Sequence, residues 1–195
     1  MKPAAALAVE TNIEARLAGF LNRRGKHERA AFQLYGAAVG AARDPYLYAT
    51  LGVPDTLDGR FDAIVLHVYL IVRRLDSEPD RGQVLAQAVF DAMFLDMDIN
   101  LREMGVGDLS VGKRNRAMWE AFHGRSAAYA AVWDDTAAFE AAIARNFWRG
   151  APSPAGSAPA LVRLAGAQAA CLAGQGLDAL LRGDVLFVPA AEAAR

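Results

Sequence analysis

One stretch, RFDAIVLHVYLIVRRL from Arg60 to Leu75, constrains the fold of this chain more than any other. Apart from Arg60, Asp62, His67, Arg73 and Arg74 it is wholly apolar. Buried strands run to about 4–8 residues, so a stretch of this length reads as a helix, and a helix apolar on nearly every side is one buried inside a protein. Its most apolar part, AIVLHVYLIV, is about half of the roughly 20 residues that cross a bilayer and is interrupted by His67. The helix is therefore expected in a core and not in a membrane. At 100° per residue, Arg60, His67 and Arg74 fall within about 40° of one another. That basic stripe must look onto a groove, a partner surface or another helix.

The flanking segments supply the rest of a helical protein. Residues 1–10 are rich in Ala, carry no packing or turn signal, and read as a mobile N-terminus; a helical domain over 11–149 follows. In it, Ile13, Leu17, Phe20 and Leu21 stand at helical spacing, and a second helix from about Glu28 carries the small residues Ala37, Ala38, Gly40 and Ala41. DPYLYATLGVPDTLDGRFD, with two prolines and two glycines, reads as a long ordered connection held by Tyr46, Tyr48 and Leu51, after which Thr56 or Asp58 caps the central helix. A helix over Gln83–Met104 places Phe90, Met93, Phe94, Met97, Leu101 and Met104 on one stripe, and Gly105 suits a left-handed cap with Val106 folded back on the last turn. Asp108 or Ser110 caps the next helix, which carries Met118, Trp119, Phe122, Tyr129 and Trp133; Asp134, Asp135 or Thr136 opens another through Phe139 and Phe147. RGAPSPAGSAPA marks a linker over 150–160, and 161–195 reads as a C-terminal helix and tail packed on the domain, with VLFVP too short to assign. No period-two alternation is sustained. The expected fold is all-α, a single compact helical domain of about six or seven helices.

Charge and chemistry narrow the function. With 21 Lys and Arg against 22 Asp and Glu, the chain has no global pull toward nucleic acid or an anionic membrane. The single cysteine, Cys171, forms no internal disulfide framework and suits a reducing, cytoplasmic setting, and Glu10 and Glu14 interrupt the apolar start before it could act as a secretory signal. His27, His67 and His123 lack metal-ligand spacing. No phosphate loop, dinucleotide fingerprint or nucleophile elbow is present. Catalytic residues, metals and cofactors are accordingly not expected.

Two charged groups remain. Gln87, Asp91, Asp98 and Arg102 cluster beside the Phe/Met stripe, where Asp98 and Arg102 make an i, i+4 pair and Asp91 or Asp98 could receive His67 or Arg74 from the central helix. Asp91, Asp96 and Asp98 also suggest the magnesium-holding helices of all-α isoprenoid synthases, although Asp96 lies about 140° from Asp91 on the helix and no second acidic helix is present. An all-α enzyme or binding protein for an isoprenoid or quinone-like ligand is thus the alternative reading. Lys113, Arg114 and Arg116 occupy first turns, where the macrodipole disfavours cations. They form a solvated basic face or meet a negatively charged partner, but no aromatics interleave with them, so DNA is not expected.

Taken in order, LGVPDTLDGRFDAIVLHVYLIVRRL and FDAMFLDMDINLREMGVGDLSVGKRNRAMWEAFHGRSAAY resemble the ubiquinol-cytochrome c chaperone family in its alphaproteobacterial form, across about Tyr35–Trp133. The carriers are the Gly-Val-Pro-Asp-Thr connection, the Leu-His-Val helix ending in Arg-Arg-Leu, the Phe/Asp-rich helix ending in Arg-Glu-Met-Gly-Val-Gly-Asp, and the Phe-x-Gly-Arg element. The resemblance implies a non-catalytic, helical assembly factor for ubiquinol-cytochrome c reductase. It would bind newly made cytochrome b, or other subunits of that complex, while peripheral to the cytoplasmic face of the inner membrane. Mitochondrial members also work with a partner subunit and the ribosome; nothing in this sequence points to ribosome contact.

By position, the resemblance carries over Arg60, His67, Arg74, Asp91, Asp98, Arg102, Lys113, Phe122 and Arg125 as partner-binding residues. It carries over Gly52, Pro54, Asp55, Phe61, Gly105, Gly107 and Gly124 as structural motif. His123 departs from it, because an aromatic residue is expected between Phe122 and Gly124. Phe90, Met93, Phe94, Met97 and Met104 form either ordinary core or an adaptable groove for an apolar client. If Arg60, His67 and Arg74 face a partner, Arg74→Ala should weaken client capture and leave thermal unfolding nearly unchanged.

Overall fold

The computed structural model describes residues 27–195, so the expected mobile N-terminus and the helix through Ile13 and Leu21 lie outside the described residues. Helix α1 occupies 27–42, followed by α2 (Pro45–Ala49), α3 (Leu57–Asp76), α4 (Arg81–Glu103), α5 (Asp108–Ala131), α6 (Thr136–Trp148), α7 (Ser157–Ala173), α8 (Leu177–Leu180) and α9 (Ala190–Ala193). The fold is all-α, with no strand among the described residues.

Helix α3 is the central element, packed against α4, α5, α6 and α7. Val65, Leu66, His67, Val68, Tyr69, Leu70 and Ile71 are all buried in succession, which only a helix covered on every side can achieve. Burying each large apolar side chain contributes about 1.5–3 kcal/mol, so this helix is the largest single source of cohesion. Thr56, not Asp58, caps it: the Thr56 hydroxyl accepts from the Gly59 N–H at 3.1 Å. The GVPDT connection then turns so tightly across the first turn that a Cβ on Gly59 would lie 2.0 Å from the Pro54 carbonyl oxygen.

The connection before α3 is not wholly irregular. Asp44 accepts from the Tyr46 N–H at 2.9 Å and Pro45 takes the first helical position, so the short helix α2 forms where a plain connection was expected. Leu51 is buried, and Tyr46 and Tyr48 pack half-buried against the core as anticipated. Helix α4 ends in the expected motif: Gly105 is left-handed at φ 78°, the Val106 N–H reaches Leu101 O at 3.0 Å and the Gly105 N–H reaches Arg102 O at 2.9 Å. At α5 the expected caps are replaced. Extended Gly107 takes the N-cap position, which puts Asp108 inside the first turn and leaves its carboxylate for Arg102.

The segment read as a linker is an ordered bend, and α7 starts inside it at Ser157. Gly52 adopts φ 64°, and a Cβ there would meet Pro154 Cγ at 2.6 Å. The Trp148 indole N–H donates to Gly52 O at 3.0 Å, so this bend and the GVPDT connection lock together. Beyond α8 the chain runs as a strap over residues 184–189. The Gln175 side chain accepts from the Leu186 N–H and donates to its carbonyl, both at 2.8 Å, and Gln168 does the same for Val188 at 2.8 and 2.7 Å. Gln168 on α7 and Gln175, just past its end, thus bond the strap as a neighbouring strand would.

His67 lies under this strap, 2 % exposed. Its Nδ1–H donates to the Ala63 carbonyl at 2.8 Å, and its ring meets Phe187 edge-on at 5.5 Å. Burial pushes the imidazole below its ordinary value of 6.5, against the smaller opposing pulls of the Ala63 carbonyl and the Asp44 charge. The neutral ring is therefore the native form. Below about pH 6.5 the unfolded chain takes up a proton that the folded one refuses, so stability is full above that pH and falls as the pH drops through it. Denaturant titrations between pH 7 and 5 should show wild type losing stability relative to His67→Gln, at no more than about 1.4 kcal/mol per pH unit.

Candidate functional site: an aromatic groove beside the central helix

The residues proposed as one basic stripe do not share a surface. Arg60 is exposed and pairs with Asp55 at 2.6 Å, whereas His67 is buried. Arg74 is turned inward: its guanidinium donates to the carbonyls of Leu172 (3.1 Å) and Gln175 (2.9 Å) at the end of α7, and it pairs with Glu78 at 3.0 Å. A cation suits that position because a helix C-terminus presents unsatisfied carbonyls and negative dipole charge.

The acid that matters most to α3 is one the stripe argument left aside. Asp62 is fully buried and sits between Arg125 (2.7 Å) on α5 and Arg149 (3.1 Å) after α6. Arg149 adopts the left-handed conformation at φ 52° and also pairs with Asp58; Arg125 lies over the Phe61 ring, 5.4 Å from its centroid. Burial raises the Asp62 carboxyl, and the two guanidiniums pull it back only in part. The Phe-x-Gly-Arg element is therefore a brace: Phe122 is 4 % exposed, Arg125 holds α3, and Gly124 has open space around it.

On α4, Asp98 takes Arg102 (2.6 Å) and Asn115 (2.7 Å), and the Arg102 contact holds its carboxyl below the usual carboxylate range. Asp91 accepts from Gln87 at 2.8 Å, and Asp96 accepts from the Tyr35 hydroxyl at 2.7 Å. Neither Asp91 nor Asp98 reaches His67 or Arg74, and the three acids do not converge as a magnesium-holding helix would require. Lys113 is exposed on α5.

The open concavity lies elsewhere, between α3, α4 and α5 with the end of α7, and has a volume of ≈ 1370 Å³. Leu70, Ala86 and Phe122 contribute to its floor. One wall is aromatic: His123 packs on Trp119 (4.1 Å between centroids) and on Phe90 (5.2 Å). Farther along α5, Trp133 carries the Arg73 guanidinium at 4.3 Å from its ring centre. Trp119 is 47 % exposed, unlike Phe122 and Tyr129 on the same helix, which are buried. The spacing of Trp119 and His123, four residues apart, did signal a shared face; only the neighbouring helices decide that this face stays uncovered. His123 occupies the aromatic position from which it departs by joining that cluster. Of the Met/Phe stripe, Met93, Met97 and Leu101 are core, Phe90 lines the groove, and Met104 is exposed at the helix end.

The model of the ubiquinol-cytochrome c chaperone family matches residues 49–187. The chain belongs to this family. The match runs from the end of α2 into the strap, so it includes the buried brace and the aromatic groove. The crystal structure of the Cbp3 homolog from Brucella abortus superposes with a TM-score of 0.77 at 32 % identity, over 90 % of this chain and 98 % of that one. A ubiquinol-cytochrome-c reductase complex assembly factor 1 from Xenopus laevis is 25 % identical over 165 residues, 84 % of this chain and 82 % of its own length. The family is one of chaperones and not of enzymes.

Removing the buried carboxylate strands the Arg125 guanidinium and takes one of two partners from Arg149, and breaking a buried pair costs about 3–5 kcal/mol. Asp62→Ala should lose that much in urea titration, whereas Arg60→Ala, an exposed pair, should stay within about 0.5 kcal/mol of wild type. Arg74→Ala should lower the thermal midpoint by several degrees, reversing the expectation drawn from a partner-facing stripe, because charged hydrogen bonds of this kind are worth about 1.5–3 kcal/mol.

Proposed function

We propose that this protein is an assembly factor for ubiquinol-cytochrome c reductase that holds newly made cytochrome b before the complex is built. It works at the cytoplasmic face of the inner membrane, and the aromatic groove is its holding surface. The observation that carries it is the groove, since an uncovered apolar concavity walled by Phe90, Trp119, His123 and Trp133 suits a half-folded transmembrane helix better than it suits water. Arg73 and Asp76 stand at its edge, giving the polar rim that such interfaces have around an apolar centre. No described helix is long and apolar enough to cross a membrane. The family membership and the assembly-factor role named for the Xenopus laevis relative support the same assignment.

Of the residues carried over as partner-binding, Phe122 and Arg74 line the groove, Lys113 remains an exposed contact candidate, and Arg125 acts through the brace beneath. Trp119 is the test residue, because it is half exposed and its removal leaves the core intact. A tagged chain purified from gently solubilised native membranes should bring down cytochrome b, and Trp119→Ala should reduce that recovery by more than about tenfold, as expected for an aromatic hot spot worth about 2 kcal/mol. Undiminished recovery would exclude the groove as the holding surface, and absence of cytochrome b from the wild-type eluate would overturn the client assignment.

A further inference from the structure

Among the described residues, the strap over 184–189 uses one of its two edges. Because Gln175 and Gln168 each bond both the N–H and the C=O of a single residue, Leu186 and Val188 must present both groups to the same side, which is the geometry of an extended strand. Alternation then turns the N–H and C=O of Val185 and Phe187 to the opposite side. Side chains follow the same period: Phe187 packs inward on His67, and Leu186 is 73 % exposed. Among the described residues, the backbone groups of Val185 and Phe187 have no hydrogen-bond partner.

A second concavity of ≈ 540 Å³ lies along the strap, lined by Val185, Phe187 and their neighbours with Gln168, and its other wall is the small-residue face of α1, with Ala37, Gly40 and Ala41. The strap is pinned to α1 and its C-terminal end on either side of this window. At one end Gly183, at φ 89°, lies so close to Gln33 that a Cβ would meet its Oε1 at 2.1 Å. At the other end the Ala190 N–H donates to the second oxygen of Asp44 at 3.1 Å. Between these pins the strap stands off a wall of alanine and glycine, and a Cβ on Gly40 would find nothing within 4 Å. Arg43 lines the same window, is exposed, and has no ion pair among the described residues.

We propose that this window is a docking site for an extended peptide segment of a partner protein, which adds as a strand to the free edge of Val185 and Phe187. Main-chain groups of the peptide would satisfy the two unpaired residues, its small or β-branched side chains would lie on Ala37, Gly40 and Ala41, and a carboxylate at one end would meet Arg43. An unpaired strand edge is a template for another chain, and most folds cover or charge theirs. Among the described residues, glutamine side chains cover one edge and nothing bonds the other. The window shares no lining residue with the aromatic groove, so a client in the groove and a peptide on the strap can be held together.

The test uses the full chain and a fluorescein-labelled Thr-Val-Thr-Val-Asp peptide with a free carboxylate. By amide exchange, Val185 and Phe187 in the free protein should exchange at least tenfold faster than Leu186 and Val188, and should become protected when the peptide is added. Gly40→Leu, whose Cβ meets nothing within 4 Å, puts a side chain into the window and should weaken peptide binding more than tenfold with no drop in thermal midpoint. Val185→Pro, which removes one edge N–H, should do the same, and Arg43→Gln should weaken binding and flatten its salt dependence. Equal protection of all four amides in the free chain would overturn the proposal, because the edge would already be covered. No binding at about millimolar peptide, or binding indifferent to Gly40→Leu, would overturn it equally.

Discussion

Because α4, α5, α6 and α7 cover α3, the buried Asp62 and His67 side chains cannot be satisfied by water, and each must find a group on its own backbone or on another element. Asp62 finds two guanidiniums, from α5 and from the turn after α6; His67 finds the Ala63 carbonyl and keeps its proton count low. Near the other end, Arg74 reaches the last carbonyls of α7. The central helix is thus pinned at three levels, and each pin joins it to an element distant in sequence or, for His67, fills a space that the strap closes. This dependence explains why Arg149 tolerates a left-handed backbone: its side chain is required at Asp62 and Asp58 at once.

The pinning also shapes what is left open. With Phe122 and Tyr129 committed to the core and Arg125 to Asp62, α5 is rotated so that Trp119 and His123 cannot reach α3, and they stand with Phe90 as the wall of a groove. A chaperone of this family that holds an apolar client needs such a surface to be rigid from behind and uncovered in front. The brace supplies the rigidity, because the helix carrying the groove wall is tied to the most deeply buried one.

At the opposite end of the chain, α7 serves as a rack. Its alanine-rich face packs on the body and ends in the groove, and Gln168 on it, with Gln175 just past its end, holds the strap by side-chain amides in place of a neighbouring strand. Side chains can satisfy one strand edge but offer nothing to the other, so an all-α fold carries a short piece of β-edge without a sheet.

By itself the sequence determined the helical class, the central place of the Arg60–Leu75 helix, the Gly105 cap and the Asp98–Arg102 pair, because periodicity, turn chemistry and i, i+4 spacing are local properties. The quoted motifs also carried the family. Tertiary structure alone decided where the polar residues of α3 point. Arg60, His67 and Arg74 share a helical face in projection, yet one is in water, one is sealed under the strap and one reaches into α7, since a helix face has no fixed environment along its length. The roles of Asp62, of Trp119 as exposed wall and of Gln168 and Gln175 as strap holders were not legible for the same reason. Each depends on a contact between residues far apart in the chain, and local spacing carries no record of which neighbour arrives.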